Sequence, residues 1–117
     1  MRALLLLVLL SPGVSLAGEE SPGHQIDFGL KVAQQGLWQE ARFRFERAVQ
    51  LDPGNAAALN DLAVACEQMG EFEAARKAYE KALELKPGDI YIQQNYDLFR
   101  EADDKRNRKS RRKKAQP

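Results

Sequence analysis

From about residue 25 to residue 100 the apolar side chains recur at three- and four-residue spacing, with polar residues between them. This is the rhythm of helices that each bury one stripe. A first helix is predicted over about 25–35, with Ile26, Leu30 and Ala33 on one face and Phe28 and Val32 on another. Gly36 ends it, because glycine accepts left-handed backbone geometry. A second, over about 38–50, carries the stripe Ala41, Phe45 and Ala48. Asp52-Pro53-Gly54-Asn55 then reads as a turn followed by a helix cap, since proline cannot continue a helix and the Asn55 side chain can accept from free amides. Lys86-Pro87-Gly88-Asp89 reads the same way, ahead of a fifth helix with Ile90, Ile92, Tyr96 and Phe99.

These stripes are not independent. Phe28-Gly29, Gly36, Trp38, Ala41, Phe45, Ala48, Leu51 and Pro53-Gly54 return as Leu62-Ala63, Gly70, Phe72, Ala75, Tyr79, Ala82, Leu85 and Pro87-Gly88, each pair 34 positions apart. That is the period of a helix-turn-helix unit that stacks on its neighbours. With Gln25, Val32 and Pro53 in the first copy, and Leu59, Cys66 and Pro87 in the second, the chain resembles the tetratricopeptide repeat family. Val32 and Cys66 stand where that family usually has a large aromatic residue.

The resemblance implies an all-α fold, a short α-solenoid of two helix-turn-helix repeats plus a C-terminal capping helix. The domain is expected over 25–104, with repeats at about 22–55 and 56–89 and the cap at 90–104. Ala41, Ala48, Ala75 and Ala82 are expected where paired helices approach closely, and Phe45 and Tyr79 between successive pairs. Tyr96 keeps the register of Phe28 and Leu62, but Arg106 and Lys109 then fall where a further second helix would need Trp38 or Phe72 and Ala41 or Ala75. Solenoids of this kind usually need about three units, so marginal stability or a homodimer is expected.

In this family the first helices of successive repeats line a concave groove that holds a peptide or a partner helix. By the resemblance the groove positions are Ile26, Leu30 and Gln34; Asn60, Val64 and Gln68; and Tyr91, Gln94 and Leu98. Family members that clamp a terminal carboxylate use groove Lys, Arg and Asn residues, whereas Ile26, Asn60 and Gln94, with Leu30, Val64 and Leu98 alongside, carry no positive charge. A hydrophobic or amide-rich segment fits better, with backbone groups paired to Asn60 and Gln94. The competing occupants are the chain's own N-terminal stretch and a second copy.

Charge and composition add two ends to this picture. The N-terminus has Arg2, an apolar run from Ala3 to Leu10, a break at Ser11-Pro12-Gly13 and small residues at Ser15 and Ala17. This is the layout of a secretory signal over 1–17, cleaved after Ala17, with a flexible segment over 18–24. The run is short against the roughly 20 apolar residues of a membrane span. An exported chain, periplasmic or secreted, is expected. At the other end Lys105, Arg106, Arg108, Lys109, Arg111, Arg112, Lys113 and Lys114 carry eight positive charges with no acid among them. All 17 acidic residues lie upstream, so a net charge of +1 conceals an acidic body and a basic tail. Like-charge runs usually stay solvated, so 105–117 is expected to be disordered. Its alternative role is to attach the chain to an anionic membrane or polymer. Nucleic acid is not expected, because the tail lacks interleaved aromatics for stacking.

Catalytic chemistry has little to work with. Nucleophilic catalysis needs a hydroxyl or thiol beside a base, yet the chain has no Thr and one His, His24. After the signal only Ser21 and Ser110 remain, and Cys66 with His24 is the only conceivable dyad. Cys66 is expected on an inward helix face, as a small buried hydrophobe. One Cys and one His do not make a zinc site, and the glycines sit singly at helix ends or in Pro-Gly turns, so there is no phosphate loop. No enzyme activity, metal or cofactor is expected.

Overall fold

The structure, a computed structural model, describes residues 20–117. The secretory signal expected over 1–17 lies outside the described residues. Among the described residues five helices follow one another: α1 (Pro22–Gln34), α2 (Trp38–Leu51), α3 (Ala56–Gln68), α4 (Phe72–Leu85) and α5 (Ile90–Ala115). α1 pairs with α2 and α3 with α4, α2 joins the two hairpins by packing on α3, and α5 covers the far side against α4 and α3. The fold is the expected short solenoid of two helix hairpins and a cap.

Local chemistry explains where each helix starts and stops. Gly36 and Gly70 adopt φ of +76° and +75°. They close matching turns in which Leu37 N–H donates to the Val32 carbonyl at 3.0 Å and Glu71 N–H to the Cys66 carbonyl at 2.9 Å. This six-to-one bond is the Schellman closure, and only glycine adopts its left-handed residue without strain. At the other ends, Asn55 Oδ1 accepts from Ala58 N–H at 3.0 Å, and Asp89 Oδ1 accepts from Tyr91 and Ile92 N–H at 3.0 and 3.1 Å.

The repeat signature lies where helices touch. Ala41, Ala48, Ala75 and Ala82 are fully buried, and Phe45 and Tyr79 are almost so. In α1 the inward face is Gln25, Gly29 and Val32, whereas Phe28 stays partly exposed beneath the Arg44 guanidinium, 4.2 Å from its ring centroid. Gly29 is there because a β-carbon at that position would lie 2.5 Å from Phe45 Cε1. Tyr79, Phe99 and Tyr96 form an aromatic cluster between α4 and α5, with ring centroids 5.4 to 6.4 Å apart.

Two expected boundaries move. The stretch 18–24 was expected to be flexible, but Ser21 caps α1 by accepting from His24 N–H at 3.2 Å, and Pro22 opens the helix, where its missing N–H costs nothing. Glu20 is tied to α2, since Arg47 Nε donates to its carboxylate at 3.0 Å. The tail over 105–117 was expected to be disordered, whereas α5 runs unbroken to Ala115. Lys and Arg are good helix formers, no Gly or Pro intervenes before Pro117, and positive charge complements the carbonyl end of a helix.

Candidate functional site

The hairpins meet where α2 packs on α3, and α5 lies against α4 and α3. Leu30 and Ala33 of α1, Trp38 and Phe45 of α2, Asn60, Asp61 and Val64 of α3, and Asn95 of α5 line one open hollow of about 160 Å³. Of the nine groove positions read from the sequence, Leu30, Asn60 and Val64 meet here. Gln94 does not. Its neighbour Asn95 takes the place, donating from Nδ2 to Asn60 Oδ1 at 3.1 Å. α5 has no second helix of its own to pack on, so it seats Ile92, Phe99 and Asp103 as its buried face, and that rotation brings Asn95 to α3. The remaining positions lie outside the hollow. Ile26 is half-buried, Gln34 and Gln94 are exposed, and Tyr91 and Leu98 are 75% and 66% exposed. Gln68 lines a separate open cleft with Leu37, Trp38, Phe43 and Met69.

Asp61 is the residue the sequence reading passed over. Its carboxylate is largely withdrawn from water, which pushes its pKa up to about 6, partly offset by a hydrogen bond from the Asn60 amide. Because Asn60 Oδ1 already accepts from Asn95, its NH₂ remains for Asp61, and the three side chains form one polar strip across apolar walls. None of the described Lys or Arg side chains is ion-paired with Asp61. A carboxylate beside Asn60 could have been flagged from its position, but its burial depends on how the helices that line the hollow come together.

The basic segment divides in two. Arg106, placed with the tail in the sequence reading, belongs to the body. Its guanidinium lies 3.5 Å from the Phe72 ring centroid and donates to Asp103 at 3.1 Å. Asp103 is 6% exposed and also receives Arg76 of α4, so two guanidinium groups share one buried carboxylate. Lys105, Arg108, Lys109, Arg111, Arg112, Lys113 and Lys114 are exposed, and Lys105, Arg108, Lys109 and Arg112 lie along one side of the helix. The Cys66 and His24 pair is not assembled. Cys66 is enclosed with Ala63, Ala75, Tyr79 and Phe99, and burial raises its thiol above the ordinary range, whereas His24 is exposed in the first turn of α1.

Comparison with known proteins agrees with this architecture. The crystal structure of the Sgt2 TPR domain from Aspergillus fumigatus superposes with a TM-score of 0.73 at 21% sequence identity. The match covers 80% of this chain and 64% of that one, so the chain spans less than two thirds of that domain's length. No curated protein matches the chain. The profile of the tetratricopeptide repeat matches residues 32–94, from the last turns of α1 into the first turns of α5. With two stacked hairpins, their glycine closures and a shared inward stripe, the chain belongs to the tetratricopeptide repeat family.

Proposed function

We propose that this chain is a non-enzymatic interaction module that holds a segment of another protein in the hollow between α1, α3 and α5. The observation that carries this reading is the convergence of Leu30, Val64, Asn60 and Asn95, from three helices, on one concave surface. Apolar walls give a bound side chain area to bury, and the amide groups give its backbone partners to pair with. The work is done after export, in a periplasm or secretory lumen, as the layout of residues 1–17 suggests. A photo-crosslinker at Val64, expressed in the native host, should capture a discrete partner that Leu30→Glu abolishes. Absence of capture at Val64, with capture elsewhere on the surface, would count against the groove.

A second reading rests on α5. Its end presents Lys105, Arg108, Lys109 and Arg112 on one exposed helix side, a spacing suited to an anionic membrane or polymer, with the repeats as a folded head. A crosslinker at Arg111 separates this from the groove, because the two probes would then capture different species.

A further inference from the structure

Three features outside the core could carry chemistry: the exposed basic end of α5, the open cleft beside Phe43, and the carboxylate in the groove. The basic end is already in use above, and the cleft mixes Leu37 and Phe43 with Gln39, Glu40 and Gln68 without converging on one ligand type. The carboxylate is different.

Resting on the groove reading, we propose that the hollow is a receptor for one positively charged side chain, a Lys or Arg of the partner segment, with Asp61 as its counter-charge. The walls suit the stem of such a residue. Leu30, Ala33, Val64, Trp38 and Phe45 are apolar, and long cationic side chains bury their methylenes along apolar surface while their heads seek a polar end. The polar end is a single strip, Asn95 to Asn60 to Asp61, in which each amide is oriented by the one before it. The acceptor is also without a competitor. Asp61 is the one charged group among the described residues lining the hollow, since α1 contributes Leu30 and Ala33, α2 Trp38 and Phe45, and α5 Asn95. A carboxylate held in a poorly hydrated place without a cation is costly to the fold, and an incoming ammonium or guanidinium would remove that cost. This inverts the charge sense of a groove that grips terminal carboxylates. Burial explains why such a partner would be sensed selectively, because charge pairing is stronger away from water.

The test uses the full chain and an array of fluorescein-labelled nonapeptides whose central residue is Lys, Arg, norleucine or Glu, with flanks randomised over Leu, Ala and Gln. Lys and Arg peptides should bind at least about tenfold more tightly than their norleucine counterparts. Asp61→Asn should erase that difference while leaving norleucine binding intact. Lowering the pH from 7.5 to 5 should weaken only the Lys and Arg arms, by about five- to tenfold, as Asp61 protonates. Equal binding of Lys and norleucine peptides, abolished by Val64→Glu, would overturn the cation site and keep the groove. No binding in any arm would overturn both. Concentration-dependent assembly of the chain alone, lost on Asp61→Asn and on truncation after Asn107, which keeps the Arg106 anchor, would show that the cation comes from a second copy's tail and overturn the assignment to a different partner.

Discussion

Two side chains show how closely the repeat geometry is specified and where it is spent. Gly29 faces Phe45 so tightly that an added methyl would need the buried ring to shift. Gly29→Ala gains helix propensity of up to about 1 kcal/mol, but overpacking costs about 1–3 kcal/mol. A net loss is therefore expected, measurable as a lower urea midpoint, and Phe45→Leu in the same chain should relieve part of it. Asp61 is a charge held at a cost. Its folded pKa, about 6, lies above the ordinary carboxylate value of 3.8, so the folded state binds the proton more tightly than the unfolded state. Stability from this group is greatest below about pH 4, falls as the pH rises through 6, and stays low above it. Two units correspond to nearly 3 kcal/mol at full burial, and residual solvent contact lowers that to about 1–2 kcal/mol. Asp61→Asn should therefore raise stability at pH 7.5 and change it little at pH 4. Equal effects at the two pH values would remove the burial argument. Gly29 and Phe45 were each legible as members of the 34-residue echo, but their contact was not, since Phe45 was expected between successive helix pairs and it also fills the space over Gly29 within its own hairpin. Nor was the withdrawal of Asp61 from water, since it depends on how several helices meet around the hollow.

Among the helices, α1 to α4 follow the sequence reading because periodicity, glycine closures and Asn or Pro-Gly turns all agree. α5 departs from it twice, in the exchange of Asn95 for Gln94 and in its length. Both departures arise where the repeat ends. A 34-residue step assumes that the third first-helix is held like the others, yet here only α3 and α4 hold it. Charge counting treats 105–114 as solvated, yet Asp103 gathers Arg76 and Arg106, and Arg106 lies on Phe72. This contact anchors the base of the long helix. Beyond it, Lys105, Lys109 and Lys113, like Arg108 and Arg112, are like charges at four-residue spacing, each pair unfavourable by about 0.2–0.5 kcal/mol. Asp103→Ala leaves two guanidinium groups facing each other and opens a buried site. It should cost about 1–3 kcal/mol and speed amide exchange through 100–112 more than through α1 and α2. If exchange in α5 is unchanged, the anchor is not what orders it. Raising salt should increase protection of 108–114 by screening the repulsion.

Across the chain, the acidic residues are spread through the body and basic ones are gathered at the C-terminal end, and the structure changes which residues count as that end. Eight cations were assigned to it from the run of residues alone. One of them, Arg106, is committed to Asp103 and Phe72, which leaves seven exposed. Attraction to an anionic surface is worth about 1 kcal/mol per Lys or Arg near it, or roughly fivefold in affinity, provided that the side chain is free to approach. On phosphatidylserine-containing vesicles at moderate salt, Arg108→Gln should weaken binding by about fivefold, and Arg108→Gln with Arg112→Gln by about 25-fold. Arg106→Gln should change binding less than twofold while lowering the unfolding midpoint, since it removes a contact inside the body. Truncation after Asn107, which keeps Arg106, should abolish vesicle binding altogether, because the acidic residues then outnumber the basic ones and the remaining surface repels the bilayer. These variants separate the two uses of one basic run. Equal loss for Arg106→Gln and Arg108→Gln, with no change in stability, would mean that both guanidinium groups face the surface and that the Asp103 anchor opens on binding. Loss of stability confined to Arg106→Gln would instead place the boundary between head and tail one turn beyond Asp103, inside a helix that has no break in sequence to mark it.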